Sequence, residues 1–214
     1  MNKPLVRLTE DNEIHIKILY WGMFASGKTT TLETLYRLTK DQNKELIPLG
    51  EIKKIDSKSG ATLYFDRGVF QSKEQNQIFY NIWTTAGQIS FFTLREQVFA
   101  GSDGVIFVVD SQTKFFEDNI ESLKELKNVA GGKLIKEIPL IVMLNKQDLP
   151  DVIREAEFIQ VLKDERLWYD SDQELHMYNP ILYETCALYH LKKNIYRSFT
   201  ECTRQVISRM RDGS

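Results

Sequence analysis

The sequence predicts an α/β fold, with a mostly parallel six-stranded sheet flanked by helices on both faces. Three observations predict it. Strand-like and helix-like stretches alternate along the chain, the pattern of repeated βαβ units. Two short runs, Gly104-Val105-Ile106-Phe107-Val108-Val109-Asp110 and Ile138-Pro139-Leu140-Ile141-Val142-Met143-Leu144, are almost wholly apolar, as strands covered on both faces must be. A third apolar run, Ile14 to Trp21, leads directly into Gly22-Met23-Phe24-Ala25-Ser26-Gly27-Lys28-Thr29, a strand followed by a glycine loop and then a helix.

Taken in order, the strands fall near 14–21, 62–70, 77–84, 104–110, 138–145 and 180–185, and the helices near 28–40, 90–99, 115–129, 152–164 and 189–210. The second and third strands form the one antiparallel pair, because the polar stretch Lys73-Glu74-Gln75-Asn76 between them suits a turn. Residues 41–61 carry no clean period and read as an irregular connection. The stretch 164–180, with Trp168, Tyr169 and Pro180, reads as a surface loop in preference to a longer helix. In the last helix Leu191, Ile195, Phe199, Val206 and Met210 are spaced to face the core. The 214 residues suit one domain, 1–214, long enough to bury about 70% of the unfolded surface.

The glycine loop matches G-x-x-x-x-G-K-T. Its glycines let the backbone turn tightly, so that successive N–H groups point into one anion site, and the following helix adds its positive end. Gly22, Phe24, Ala25, Ser26, Gly27, Lys28, Thr29 and Thr30 are therefore candidate phosphate contacts. Lys28 reaches the outer phosphates and the Thr29 hydroxyl suits Mg²⁺, which makes the chain a P-loop nucleotide binder. The base is addressed by Asn145-Lys146-Gln147-Asp148, at the C-terminal end of the strand 138–145, where open α/β sheets bind ligands. The Asp148 carboxylate can accept two hydrogen bonds from guanine. Adenine offers neither donor, and an unpaired buried acceptor discriminates by roughly 10⁴-fold or more.

Together these motifs resemble the Ras-like small GTPase superfamily over most of the chain, and that resemblance implies a small G-protein fold, GTP and GDP as ligands and Mg²⁺ as cofactor. Trp83-Thr84-Thr85-Ala86-Gly87-Gln88 resembles the family's D-x-x-G-Q element, which implies a γ-phosphate contact from the Gly87 N–H and a water-orienting, catalytic role for Gln88 beside Lys28. Glu184-Thr185-Cys186-Ala187 resembles the E-T-S-A loop, so that the backbone of Cys186, Ala187 and Leu188 would support the guanine. Thr84 stands where the family has Asp, either holding Mg²⁺ indirectly or bonding to the neighbouring loop. A Thr at that place is a feature of the MglA group of polarity and gliding-motility GTPases. Ala61-Thr62-Leu63-Tyr64-Phe65-Asp66 is similar to that group's R-T-L-F-F-D segment. In that match Thr62 closes over the γ-phosphate and Mg²⁺, although Ser57 and Ser59 lie close by, and residues 41–61 lead into switch I. The group's arginine finger is replaced by Ala61, which leaves a partner, Arg67 or Arg95 to supply the cation. Phe24 replaces a glycine and places a ring beside the γ-phosphate.

The resemblance implies a Roadblock-type activating partner and effectors that bind the switch regions. Ile89, Phe91, Phe92 and Leu94 divide between core packing and such a partner surface. An Arf-like trafficking role, a GTP-loaded scaffold that barely hydrolyses, and an ATP-using P-loop enzyme stand as alternatives, the last opposed by Asp148. A net charge of −2 with 42% hydrophobic residues gives no reason to expect a nucleic-acid partner. Cys186 and Cys202 form no disulfide framework and suit a reduced cytoplasmic setting. His15, His176 and His190 lack metal-ligand spacing. No signal peptide, membrane-spanning run or lipidation box is evident, so recruitment to a membrane would fall to a partner.

Overall fold

The computed structural model describes residues 12–41, 44–55, 65–85 and 92–212. Strand β1 (Ile14–Trp21) is followed by α1 (Lys28–Asp41), the short strands β2 (Leu46–Pro48) and β3 (Lys53–Ile55), then β4 (Phe65–Ser72) and β5 (Ile78–Thr84). After α2 (Phe92–Phe99) come β6 (Gly104–Asp110), α3 (Phe116–Ala130), β7 (Leu140–Asn145), α4 (Glu155–Asp164), β8 (Ile181–Glu184) and α5 (Ile195–Asp212). The sheet runs β2-β4-β5-β1-β6-β7-β8, with β3 also on β4. Pairings from β5 through β8 are parallel, while β4 is antiparallel to β5.

The expected mostly parallel sheet is present, and its strand count differs from the six expected. Among the described residues eight strands form it, because β2 and β3 lie within the stretch read as irregular. Both pair antiparallel with β4, so β4–β5 is not the one antiparallel pair. Three-residue strands are too short to show a period of two. Pro48 is tolerated because β2 lies at the sheet edge, where a missing N–H costs little.

Consecutive residues of the central strands divide between two cores. Leu19, Trp21, Phe107, Val109, Val142 and Leu144 face α3 and α4, where Leu123, Leu126 and Phe158 meet them. Ile18, Tyr20, Ile106, Val108, Ile141 and Met143 face the other way, against Leu32 and Leu35 of α1 and Phe199, Cys202 and Val206 of α5. Burial on both faces explains why β6 and β7 read as unbroken apolar runs.

Two helices start later than the sequence suggested. Helix α4 begins at Glu155, where the Glu157 side chain turns back to accept the Arg154 N–H at 2.8 Å. Residues 189–191 form a separate 3₁₀ turn before α5, and Asn194 sits at φ 57° between them, which breaks helical continuity. The 164–180 stretch is not a continuation of α4 but a loop, as expected, interrupted by a 3₁₀ helix over Glu174–Tyr178. The Asn179 side chain fastens it, accepting from the Tyr169 N–H and donating to the Tyr169 carbonyl at 2.8 Å each.

Candidate functional site

The C-terminal ends of β1, β5, β6, β7 and β8 meet along one edge of the sheet, and the glycine loop, the Asn145–Asp148 loop and residues 185–188 lie there. Gly22 has φ 154°, and a side chain there would place Cβ 2.2 Å from the Val108 carbonyl oxygen of β6. Gly27 has φ 103°, and its Cβ would stand 2.3 Å from Asn145 Nδ2. Only glycine satisfies both positions. The loop thus lies flat on β6 and on the base-side loop, with Ala25 left-handed at φ 60° between them.

The Asn145 side chain joins the two ligand loops. Its Nδ2 donates to the Ser26 carbonyl at 2.8 Å, while its Oδ1 accepts from the Thr185 hydroxyl at 3.3 Å. Glycine loop, base loop and Thr185-Cys186-Ala187 are thereby fixed to one another. The Thr34 hydroxyl of α1 adds a bond to the Ala187 carbonyl at 2.5 Å. Asp148 and Leu188 are exposed at the mouth of this region, where a purine could reach them. Burial, followed by the neighbouring Asp148 carboxylate, raises the pKa of the Cys186 thiol.

Lys146 stands left-handed at φ 67° and its ammonium pairs with Asp110 Oδ2 at 2.6 Å. Asp110 is fully buried at the end of β6. Its other carboxylate oxygen accepts from the Gln112 backbone and side-chain nitrogens. Sequence reading missed Asp110 as a site residue. The available signal was an acidic residue closing an all-apolar strand, opposite Asn145 in the neighbouring one.

Lys28, only 6% exposed, bends back to donate to the Gly22 and Met23 carbonyls at 2.9 and 2.7 Å. Burial, then the nearby positive charge of Arg95, pushes its pKa down from 10.5 to about 7. A polyphosphate in the loop would reverse both effects. Thr29 donates to Asp66 Oδ2 at 2.5 Å, and Thr84 donates to the same oxygen at 3.2 Å while accepting the Asp66 N–H at 3.0 Å. Asp66 is 3% exposed. The charge missing from Thr84 is thus restored from β4, one strand over. Thr29, Asp66 and Thr84 offer a compact set of hard oxygen donors, which suits Mg²⁺. Asp66 was not among the expected metal residues. Its signal was a carboxylate within a strand, near its start, where Asp is disfavoured.

Phe24 is 59% exposed at the lip of the glycine loop. Thr30 follows in the first turn of α1. Thr62, Gly87, Gln88, Ala61, Ile89 and Phe91 lie outside the described residues. Leu94 of α2 packs on the α3 side of the core. The two candidate finger arginines are both anchored. Arg67 donates to Asn81 at 2.7 Å and lies over Trp83, while Arg95 pairs with Glu125 and lies over Trp21. Among the described residues no cluster of His, Cys, Asp or Glu is placed to hold a metal by itself, and no helix is long and apolar enough to cross a membrane.

The model of the ADP-ribosylation factor family matches residues 3–189. The chain is also similar to the mutual gliding-motility protein MglA of Myxococcus xanthus strain DK1622. It is 33% identical over 161 residues, which cover 70% of this chain and 76% of that protein. With the glycine loop, the Asn145 clasp and the C-terminal sheet edge in place, the chain belongs to the Arf/Ras-like small GTPases, a family of GTP-binding proteins, and stands near MglA.

Proposed function

We propose that the chain is a GDP/GTP switch that hydrolyses GTP slowly by itself and faster with an activating partner. The observation that carries this reading is the bond from Asn145 to Ser26, which sets the base-reading loop and the phosphate loop at a fixed separation. Main-chain N–H groups of residues 22–30 bind the phosphates, and Lys28 straightens toward the outer ones. Asp148 accepts from guanine, while the Cys186–Leu188 backbone supports the ring. Bound Mg²⁺ would neutralise charge on the outer phosphates. Thr29 would hold it, with Asp66 and Thr84 through their oxygens and Thr62 from switch I. Gln88 orients the water for attack, and Gly87 and Thr62 respond to the γ-phosphate.

Single-turnover hydrolysis tests the reading. Wild-type protein with magnesium should convert bound GTP to GDP, and Gln88→Leu should slow that conversion at least tenfold. Equal, near-background rates would support the second reading, a GTP-loaded scaffold, which the exposed Phe24 ring at the phosphate lip favours. The likeness to MglA supports a polarity, motility or trafficking-type role in the cytoplasm, with a Roadblock-type activator and switch-binding effectors. A single GTPase domain over 1–214 fits this proposal, and any membrane recruitment would come through a partner.

A further inference from the structure

We propose that Arg95 is the chain's own arginine for the terminal phosphate, and that Glu125 holds it in reserve. The inference rests on the GTPase reading above and names a catalytic residue for it. Arg95 lies on α2, seven positions after Gln88. Its guanidinium is 2% exposed and donates from Nη1 to Glu125 Oε2 of α3 at 2.5 Å. It lies over the Trp21 ring, 5.4 Å from the centroid. Trp21 is the last residue of β1, and the residue after it, Gly22, opens the phosphate loop. Its charge is felt at Lys28.

A buried arginine–carboxylate pair often adds no more stability than apolar side chains of similar size, so stability is weak ground for a cation at this spot. Glu125 is 18% exposed, and the pair can therefore be opened from the solvent side. Phosphate oxygens match the guanidinium fork as well as a carboxylate does and carry more charge in the transition state. Movement of the switch II helix on GTP binding, or under a partner, would exchange one acceptor for the other. In the reaction, the water oxygen bonds to the γ-phosphorus as the bond to the β–γ bridging oxygen breaks. The electron pair stays on that oxygen, and the water proton leaves with inorganic phosphate. Arg95 donates hydrogen bonds to the charge that develops and keeps its own protons. This supplies the cation that Ala61 lacks.

The test is single-turnover GTP hydrolysis by the full chain with magnesium, alongside binding of fluorescent GTP and GDP. Glu125→Gln and Glu125→Ala should raise the rate about tenfold or more, a fraction of the 10³–10⁵ that an engaged arginine finger supplies. The double variant Arg95→Ala/Glu125→Gln should lose the gain, and Arg95→Lys/Glu125→Gln should recover little of it, since lysine cannot fork. If either Glu125 variant folds poorly, Glu125→Asp, which shortens the reach of the carboxylate by one methylene, should give a smaller rise of the same sign. Unchanged rates in Glu125 variants that still bind GTP would overturn the proposal, as would a gain that persists without Arg95. Wild-type protein that does not select GTP over ATP would sink the GTPase reading itself, and this proposal with it.

Discussion

Replacing Lys28 by methionine should make the nucleotide-free protein insensitive to pH in a range where the wild type is not. In the native state burial and the charge of Arg95 hold the Lys28 pKa at about 7, against 10.5 for an unperturbed lysine. Between those values the unfolded chain binds a proton that the native chain has released, so wild-type stability rises with pH. The full shift corresponds to about 5 kcal/mol against the charged form, present below pH 7 and absent above pH 10.5. Between pH 7 and 9 the share recovered is about 2 kcal/mol. Lys28→Met has a similar length and no charge, so its stability should stay flat over that window once other groups cancel in the difference. The variant also leaves the Gly22 and Met23 carbonyls without the Lys28 amine donor, at a pH-independent cost of about 1–3 kcal/mol each. The pH dependence of the difference is therefore the clean quantity. Urea unfolding of both proteins, stripped of nucleotide and measured at half-unit steps from pH 6.5 to 9, reads it. Saturating GDP with magnesium should abolish the slope, because phosphate holds the lysine protonated. Parallel curves for wild type and variant without nucleotide would refute the account of Lys28.

Asp66→Asn removes the one carboxylate bonded to both Thr29 and Thr84, and should raise the magnesium concentration needed to slow nucleotide release by about tenfold; release rates across a magnesium series check this. Gly27→Ala would drive a methyl to 2.3 Å from Asn145 Nδ2 at φ 103°, and should cost at least about 2 kcal/mol of stability together with most nucleotide affinity, read by thermal unfolding and calorimetry. Asp110→Asn leaves the Lys146 ammonium with a neutral partner, and should speed GDP dissociation about tenfold while the fold persists, as stopped-flow fluorescence and circular dichroism would show.

The parts of the fold that the sequence reveals are those in which one physical constraint acts alone. β6 and β7 are buried on both faces, so their composition announces them without help from neighbours. Gly22 and Gly27 are required by backbone approach to Val108 and Asn145, and their spacing survives in the string as a motif. β2 and β3 are different, since their existence depends on β4 lying beside them and three residues cannot display a period. The start of α5 is misplaced because Leu191 falls in register with the apolar positions of the helix, whereas the structure leaves Leu191 exposed, not facing the core as expected, and left-handed Asn194 interrupts the run.

The candidate site divides along the same line. Lys28, Thr29, Asn145 and Asp148 lie within contiguous motifs that the sequence displays. Asp66 and Asp110 act across strands, on Thr84 and Lys146 respectively, and a linear sequence does not show which strands are adjacent. Thr84 illustrates the cost of reading one position at a time. Alone it looks like a lost charge, whereas beside β4 it is one half of a hydroxyl–carboxylate unit with Asp66.

The central claim is that main-chain amides of residues 22–30 grip a polyphosphate while Asp148, set at a fixed distance by the Asn145–Ser26 bond, selects the purine. Calorimetry of the stripped protein with GTP and with ATP, each with magnesium, tests it most directly, and the account predicts that GTP binds at least about a thousandfold more tightly, with most of that preference lost in Asp148→Ala. Equal affinity for the two nucleotides in the folded wild type would contradict it.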